Sequence, residues 1–234
     1  MKSIEVVTSP EQIEAYQPKG KLVVIIDVFR ATTTMVTALA NGVTKVKPCL
    51  EVNEAILQKN AGYLVGGERN GEKLPEMDVD NSPLTFLNNA YKHSKLAMST
   101  TNGTKAVEMS LEAEEMILGA FVNLSAVVQY IQQSSLDVLL VCAGWKGKAS
   151  TEDLLFAGAV IHQYPNLIEN TDSAHMAATY FESCKKSLHQ RLILCEHGQR
   201  LQQMNKQADV NFCIQIDQYA IVPKYNRVLE SFEI

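Results

Sequence analysis

The sequence predicts a layered α/β/α protein with a mixed, largely buried sheet, folded as one domain over residues 1–234. Three observations carry this. Short β-branched runs alternate with helical patterns through the first two-thirds of the chain, as a sheet flanked by helices requires. The runs at 21–26 and 137–142 are almost continuously apolar, the mark of strands covered on both faces. No repeat, low-complexity tract or linker interrupts the 234 residues, a length that suits one large domain.

Each element has a local reason. After the strand at 21–26 comes a helix with Met35, Val36, Leu39 and Ala40 on one face, stopped by Asn41-Gly42. Residues 43–46 read as a strand, 51–60 as a helix and 63–65 as a strand. Residues 95–99 form the next strand, with a helix starting near Asn102. A strand at 115–118 precedes a helix capped by Asn123 and carrying Leu124, Val127, Val128 and Ile131. The strand at 137–142 feeds a helix from about Thr151, where Ser150 to Asp153 fits a capping box. Residues 171–206 read as helical, without the alternation, and form a candidate cap; two short strands are expected at 211–215 and 220–222.

The chain is 46% hydrophobic and 20% charged, enough apolar material for a sizeable core. A net charge of −5 argues against a nucleic-acid partner, because phosphate backbones recruit basic faces. No leader pattern is evident, and no apolar run approaches the roughly 20 residues needed to cross a bilayer. A cytoplasmic protein with no membrane partner is expected, and homo-oligomerisation is left open. Cys49, Cys142, Cys184, Cys195 and Cys213 show no Cys-x-x-Cys spacing, so buried free thiols are expected.

In α/β sheets ligands sit at the carboxyl ends of strands, where helix N-termini offer free N–H groups. Three such junctions carry related chemistry. The first is Asp27-Val28-Phe29-Arg30, followed by Ala31 and the hydroxyls of Thr32, Thr33 and Thr34. A carboxylate ending a buried strand is costly unless partnered, and a divalent metal is one such partner. The second, Ser99-Thr100-Thr101-Asn102-Gly103-Thr104-Lys105, has the composition of an anion cradle. The third, 142–153, adds Glu152 and Asp153.

The polar loop 66–83 breaks the rhythm with five acids and two bases. Loops of that length are usually functional or disordered, and the prolines favour an ordered one. It supplies Glu68 and Arg69 directly after a strand, then Asn81 and Ser82, with Ser82 placed to cap a helix starting at Pro83. The acid-then-arginine pattern thus occurs twice, at Asp27/Arg30 and Glu68/Arg69. Acids for a cation and arginines for oxyanions are what metal-assisted phosphate chemistry needs.

Several phosphatase mechanisms lack their motifs here. No cysteine has an arginine six positions later, Phe29 stands where the aspartyl-phosphatase signature needs a second aspartate, and no histidine pair has metal-ligand spacing. His197 follows glutamate rather than arginine, and the five histidines read as surface or satisfied core groups. Carboxylate placement names Asp27 and Glu68 as metal ligands, with Asp153 third. Arg30, Arg69 and the hydroxyl-rich junctions then hold the anion.

Taken together, 27–34, 66–71, 80–83 and 100–104, followed by Cys142-Ala143-Gly144, Glu152-Asp153, Glu196-His197-Gly198, 209–213 and Val222-Pro223, resemble the 2-phosphosulfolactate phosphatases (the ComB type) in the same order. The resemblance implies an α/β fold peculiar to that family. It also implies a Mg2+-dependent hydrolase converting 2-phospho-3-sulfolactate to 3-sulfolactate and phosphate, a step toward coenzyme M. A substrate with phosphate, sulfonate and carboxylate groups fits several anion cradles in an acidic protein. Two other readings stay open: a Mg2+-dependent phosphatase of another phosphorylated hydroxy acid, and a non-catalytic binder of an anionic metabolite.

Overall fold

Strand formation follows the apolar runs. The computed structural model describes residues 2–164 and 169–234. Its strands are Ser3–Val7 (β1), Leu22–Ile26 (β2), Lys45–Pro48 (β3), Tyr63–Gly67 (β4), Lys95–Ser99 (β5), Glu115–Gly119 (β6), Val138–Cys142 (β7), Glu169–Asn170 (β8), Lys224–Asn226 (β9) and Ser231–Glu233 (β10). The helices are Ile13–Tyr16 (α1), Ala31–Ala40 (α2), Val52–Leu57 (α3), Gly103–Glu108 (α4), Leu124–Gln133 (α5), Thr151–His162 (α6), Asp172–Cys184 (α7), Leu188–Leu194 (α8), Glu196–Gln203 (α9) and Gln207–Cys213 (α10).

The strands join in the order β4-β5-β3-β10-β9-β6-β2-β7-β1-β8. Two parallel blocks result: β6, β2, β7, β1 and β8 on one side, and β3, β5 and β4 on the other. The antiparallel β9–β10 hairpin lies between them, antiparallel also to β6 and β3, so the two blocks run in opposite directions. Adjacent strands rotate by about 20–25° on average. Across the five steps from β2 to β5 this accumulates to about 100–125°. The carboxyl ends of both blocks are thereby able to face one crevice.

The pleat divides the core into two layers. Leu22, Val24 and Ile26 of β2 and Val138, Leu140 and Cys142 of β7 pack on one face, against α5, α6 and α7. Val23, Ile25, Leu139 and Val141 pack on the other, against Met35 and Leu39 of α2 and Ala106 of α4. Both sheet faces are covered here, which is why these strands read as unbroken apolar runs. The expected layered α/β/α architecture is present. No helix among the described residues is long and apolar enough to cross a membrane.

Four local expectations change. Residues 211–215 are not a strand: α10 runs through Cys213, because Val210 and Cys213, three apart, both bury against the first layer. Residues 220–222 form no ladder. Around them, Tyr219 N–H donates to the Val122 carbonyl at 2.8 Å and Leu118 N–H to the Pro223 carbonyl at 3.0 Å. Asn123 does not cap α5 with its side chain. It accepts from Ala120 N–H at 2.9 Å and donates to the carbonyls of Leu118 and Ile221, pinning the segment before β9 to β6. Ser150 gives α6 no side-chain cap either, since its hydroxyl donates to Asp153.

The loop 66–83 is ordered and starts from a close strand approach. Gly67 has φ +145°, and a Cβ there would lie 2.0 Å from the Ser99 carbonyl oxygen of β5. Only glycine fits this position. Gly67→Ala is therefore expected to destabilise the protein by about 3 kcal/mol or more, by forcing β4 and β5 apart. A urea midpoint within error of the wild type would show that the strands have room to yield.

Candidate active site

The acids that end β2 and β4 meet at one crevice. Asp27 and Glu68 both line it and are each 8% exposed. Asp27 leaves β2 just before α2, and its Oδ1 accepts from Ala31 N–H at 3.3 Å, the one hydrogen bond its carboxylate makes among the described residues. Helix α4 comes close from the other block. A Cβ on Gly103 would lie 2.8 Å from Asp27 Oδ2, so glycine lets the helix start abut the carboxylate. The Asp27 pKa is raised to about 6, chiefly by burial; His197 and the Ala31 N–H oppose the rise, and the negative charges of Glu152 and Glu68 add to it.

Glu68 is held more firmly. One oxygen accepts from Gly71 N–H in the loop, and the other from the N–H and hydroxyl of Thr101 at 3.3 and 3.2 Å. Thr100, Asn102 and Asn81 complete this side of the crevice. Asn81 is 4% exposed and its Oδ1 has no hydrogen-bond partner among the described residues. A buried amide oxygen left unpaired costs about 1–3 kcal/mol, so an orphan beside two carboxylates points to a ligand that completes it.

Arg30 reaches the same crevice with its side chain only 2% exposed. It forms an ion pair with Asp209 of α10 and donates to the Gly71 carbonyl at 3.4 Å. The other Asp209 oxygen accepts from the Ser82 hydroxyl at 2.6 Å, so Ser82 braces this pair instead of capping the turn at Pro83.

The remaining sequence candidates lie behind the crevice wall or outside it. Arg69 donates to the Glu68 carbonyl at 2.9 Å, the Ser99 hydroxyl at 3.0 Å and the Leu50 carbonyl at 3.3 Å, bracing the loop base. Thr32 bridges Asp27 N–H and the Gly119 carbonyl, Thr33 donates to the Val28 carbonyl and Thr104 to the Thr100 carbonyl. These hydroxyls satisfy backbone groups at the helix starts. The Thr34 hydroxyl is buried without a partner among the described residues. Lys105 sits on the surface, 2.7 Å from Glu11 at about 42% side-chain exposure, so it contributes no charge to the expected cradle. Asp153 is 2% exposed and accepts from Val28 N–H at 2.9 Å, Gly144 N–H at 3.1 Å and Ser150 at 2.7 Å. Burial, then the charges of Glu152 and Asp27, hold its pKa well above the usual range. Its bonds tie α6 to the ends of β2 and β7.

The structure adds residues that the sequence did not single out as site groups. His197, at the start of α9, is 12% exposed at its side chain, and its Nδ1 lies 2.8 Å from Glu152 Oε1 of α6. Its ring lies 5.3 Å from that of Trp145, tilted by 35°, and edge-on at 6.0 Å to Phe29. It is neither a surface group nor part of the apolar core. Arg200, one turn further along α9, lies 4.4 Å over the Trp145 ring and donates to the Asn70 carbonyl at 2.5 Å. Glu152 and His197 are 45 residues apart, and no local spacing announces the pair.

Acids, an amide oxygen, two arginines and a carboxylate-paired histidine, gathered at the carboxyl ends of an α/β sheet, define an enzyme site for a small anion. The profile of the 2-phosphosulpholactate phosphatase family matches residues 7–227. The chain is 40% identical over 212 residues to the probable 2-phosphosulfolactate phosphatase of Caldanaerobacter subterraneus subsp. tengcongensis, covering 88% of each protein. It is 40% identical over 200 residues to the protein so named in Thermotoga maritima, covering 86% of this chain and 87% of that one. With the Clostridium novyi counterpart it shares 32% over 230 residues, 95% of this chain and 97% of that one. The chain belongs to the 2-phosphosulpholactate phosphatase family, a family of phosphoric monoester hydrolases.

Proposed function

We propose that the protein is a Mg2+-dependent phosphatase that hydrolyses 2-phospho-3-sulfolactate to 3-sulfolactate and phosphate, the type of step that serves coenzyme M synthesis. The observation that carries this reading is the orphaned Asn81 Oδ1 beside the under-bonded carboxylate of Asp27 and the carboxylate of Glu68. Three hard oxygen donors in one buried crevice suit a small divalent cation. Among the described residues no group of three or more His, Cys, Asp or Glu side chains is placed to hold a metal, so a cation here would depend on water and substrate for its remaining ligands. Magnesium accepts such sites readily, keeping water and substrate phosphate as its other ligands.

A cation bound there supplies Lewis acidity and offsets the charge that develops on the phosphoryl oxygens. Asp27 and Glu68 would hold it. Arg30, fixed by Asp209, offers its guanidinium edge to the phosphoryl group, and the Thr100–Asn102 turn adds N–H and hydroxyl donors. Phe29, Trp145 and Leu201 line the same crevice and limit water around the phosphate.

The test is phosphate release from racemic 2-phosphosulfolactate and a panel of phosphorylated hydroxy acids, with Mg2+ or with chelator. Mg2+-dependent release, fastest from 2-phosphosulfolactate, is expected. Release that survives chelation removes the cation from the reading, and faster release from another ester replaces the substrate.

A further inference from the structure

The crevice has two chambers with a shared wall. The inner one, about 310 Å³ open to solvent, holds Asp27, Glu68, Arg30 and Asn81. The outer one, about 400 Å³ and also open, is lined by Ser150, Thr151, Glu152 and Glu196. Trp145, His197 and Arg200 line both.

A phosphate monoester has two unlike ends joined by one P–O–C bridge. The inner chamber has the donors for the phosphoryl end, so the bridge of a bound ester crosses the shared wall, where His197 stands. A carboxylate can only accept, so the imidazole Nδ1 carries the hydrogen that meets Glu152 Oε1. Nε2, at the other corner of the ring, has no protein partner among the described residues. Glu152 is itself fixed, with its second oxygen 3.4 Å from the Cys195 thiol. A histidine oriented by a buried carboxylate through Nδ1 is arranged to move protons at Nε2.

We propose that His197 is a catalytic residue, the proton donor to the ester oxygen as the P–O bond breaks, and that Glu152 is its positioning residue. The inference rests on the phosphatase reading. Water oxygen forms the new bond to phosphorus while the bond to the ester oxygen breaks. The released electron pair stays on that oxygen, which takes the Nε2 proton and leaves as the neutral alcohol. One water proton stays on the product phosphate, and the other passes through solvent to reprotonate the imidazole. An alkyl leaving group needs this donor because its alkoxide is strongly basic. A nitrophenolate does not.

His197→Gln, Glu152→Gln and wild type should be compared on 2-phosphosulfolactate and on 4-nitrophenyl phosphate, with Mg2+ present. His197→Gln is expected to lose about a hundredfold or more in kcat on the alkyl ester but less than about tenfold on the aryl ester. Glu152→Gln should show the same asymmetry with a smaller loss. If the wild type refuses aryl esters, rescue of His197→Gly on 2-phosphosulfolactate by added imidazole decides instead. Equal losses on both esters, an unimpaired His197→Gln, or no imidazole rescue in that second case overturns the proposal and leaves the phosphatase reading standing. A wild type inactive on every ester overturns the phosphatase reading, and this one with it.

Discussion

Asp27→Asn is expected to remove most phosphate release and, at neutral pH without metal, to make the protein more stable. Burial lifts the Asp27 pKa from 3.8 to about 6 in the folded protein. A raised carboxylate pKa means the folded state holds a proton that the unfolded chain has released. Stability is then unaffected by this group below about pH 4, falls as pH rises through the window from 3.8 to about 6, and stays reduced above it. A shift of this size corresponds to a penalty on the order of 3 kcal/mol at pH 7. Asparagine carries no such penalty, so for a chain of this length the melting temperature should rise by roughly 6–12 °C. Turnover should fall about 10²–10³-fold, as for loss of one group that stabilises transition-state charge. Calorimetry of both proteins in chelator from pH 4 to 8 checks the first part. Parallel stability curves would mean that Asp27 is not a buried charge awaiting a cation. Near-normal turnover would take it out of the site.

The second large effect lies at Asp209. Among the described residues, Asp209→Ala leaves the buried Arg30 guanidinium only the 3.4 Å contact to the Gly71 carbonyl, and strips Ser82 of its acceptor. Removing one partner of a buried ion pair costs about 3–5 kcal/mol, most of it from the charge left behind. Replacing both partners with apolar side chains of similar volume, Arg30→Met with Asp209→Leu, should recover most of that stability while turnover stays lost. Urea midpoints of the single and double variants separate the two contributions. A single variant that loses less than about 1 kcal/mol would show that Arg30 finds other compensation.

The fold was readable because both faces of β2 and β7 are covered, and a strand covered on both faces writes itself as an unbroken apolar run. The tail was not. Its hairpin is short, lies beyond a segment held by single hydrogen bonds, and follows a helix whose buried residues are only Asp209, Val210 and Cys213. In the site, Asp27 and Glu68 were legible because a carboxylate ending a buried strand has few structural explanations. The threonines at 32–34 misled, since hydroxyls at a helix start also satisfy nearby backbone, and sequence does not say which groups they face. Lys105 follows Gly103 by two residues on the first turn of α4, and about half a turn of rotation separates the crevice from the surface. Glu152 was legible as an acid at the third junction, but His197 and Asp209 had no signal beyond their family blocks, because each acts through a partner far away in the chain.

Every ladder connection between the half-sheet that presents Asp27 and the half-sheet that presents Glu68 runs through β9 and β10. That hairpin is anchored on both sides. Phe232 is fully buried and packs 5.2 Å from Tyr225, Lys45 and Lys47 pair with Glu233 and Glu230, and Lys224 pairs with Glu115. It works as a keystone between two arches. Synthesised after both, and far in sequence from either acid, it sets the distance between Asp27 and Glu68.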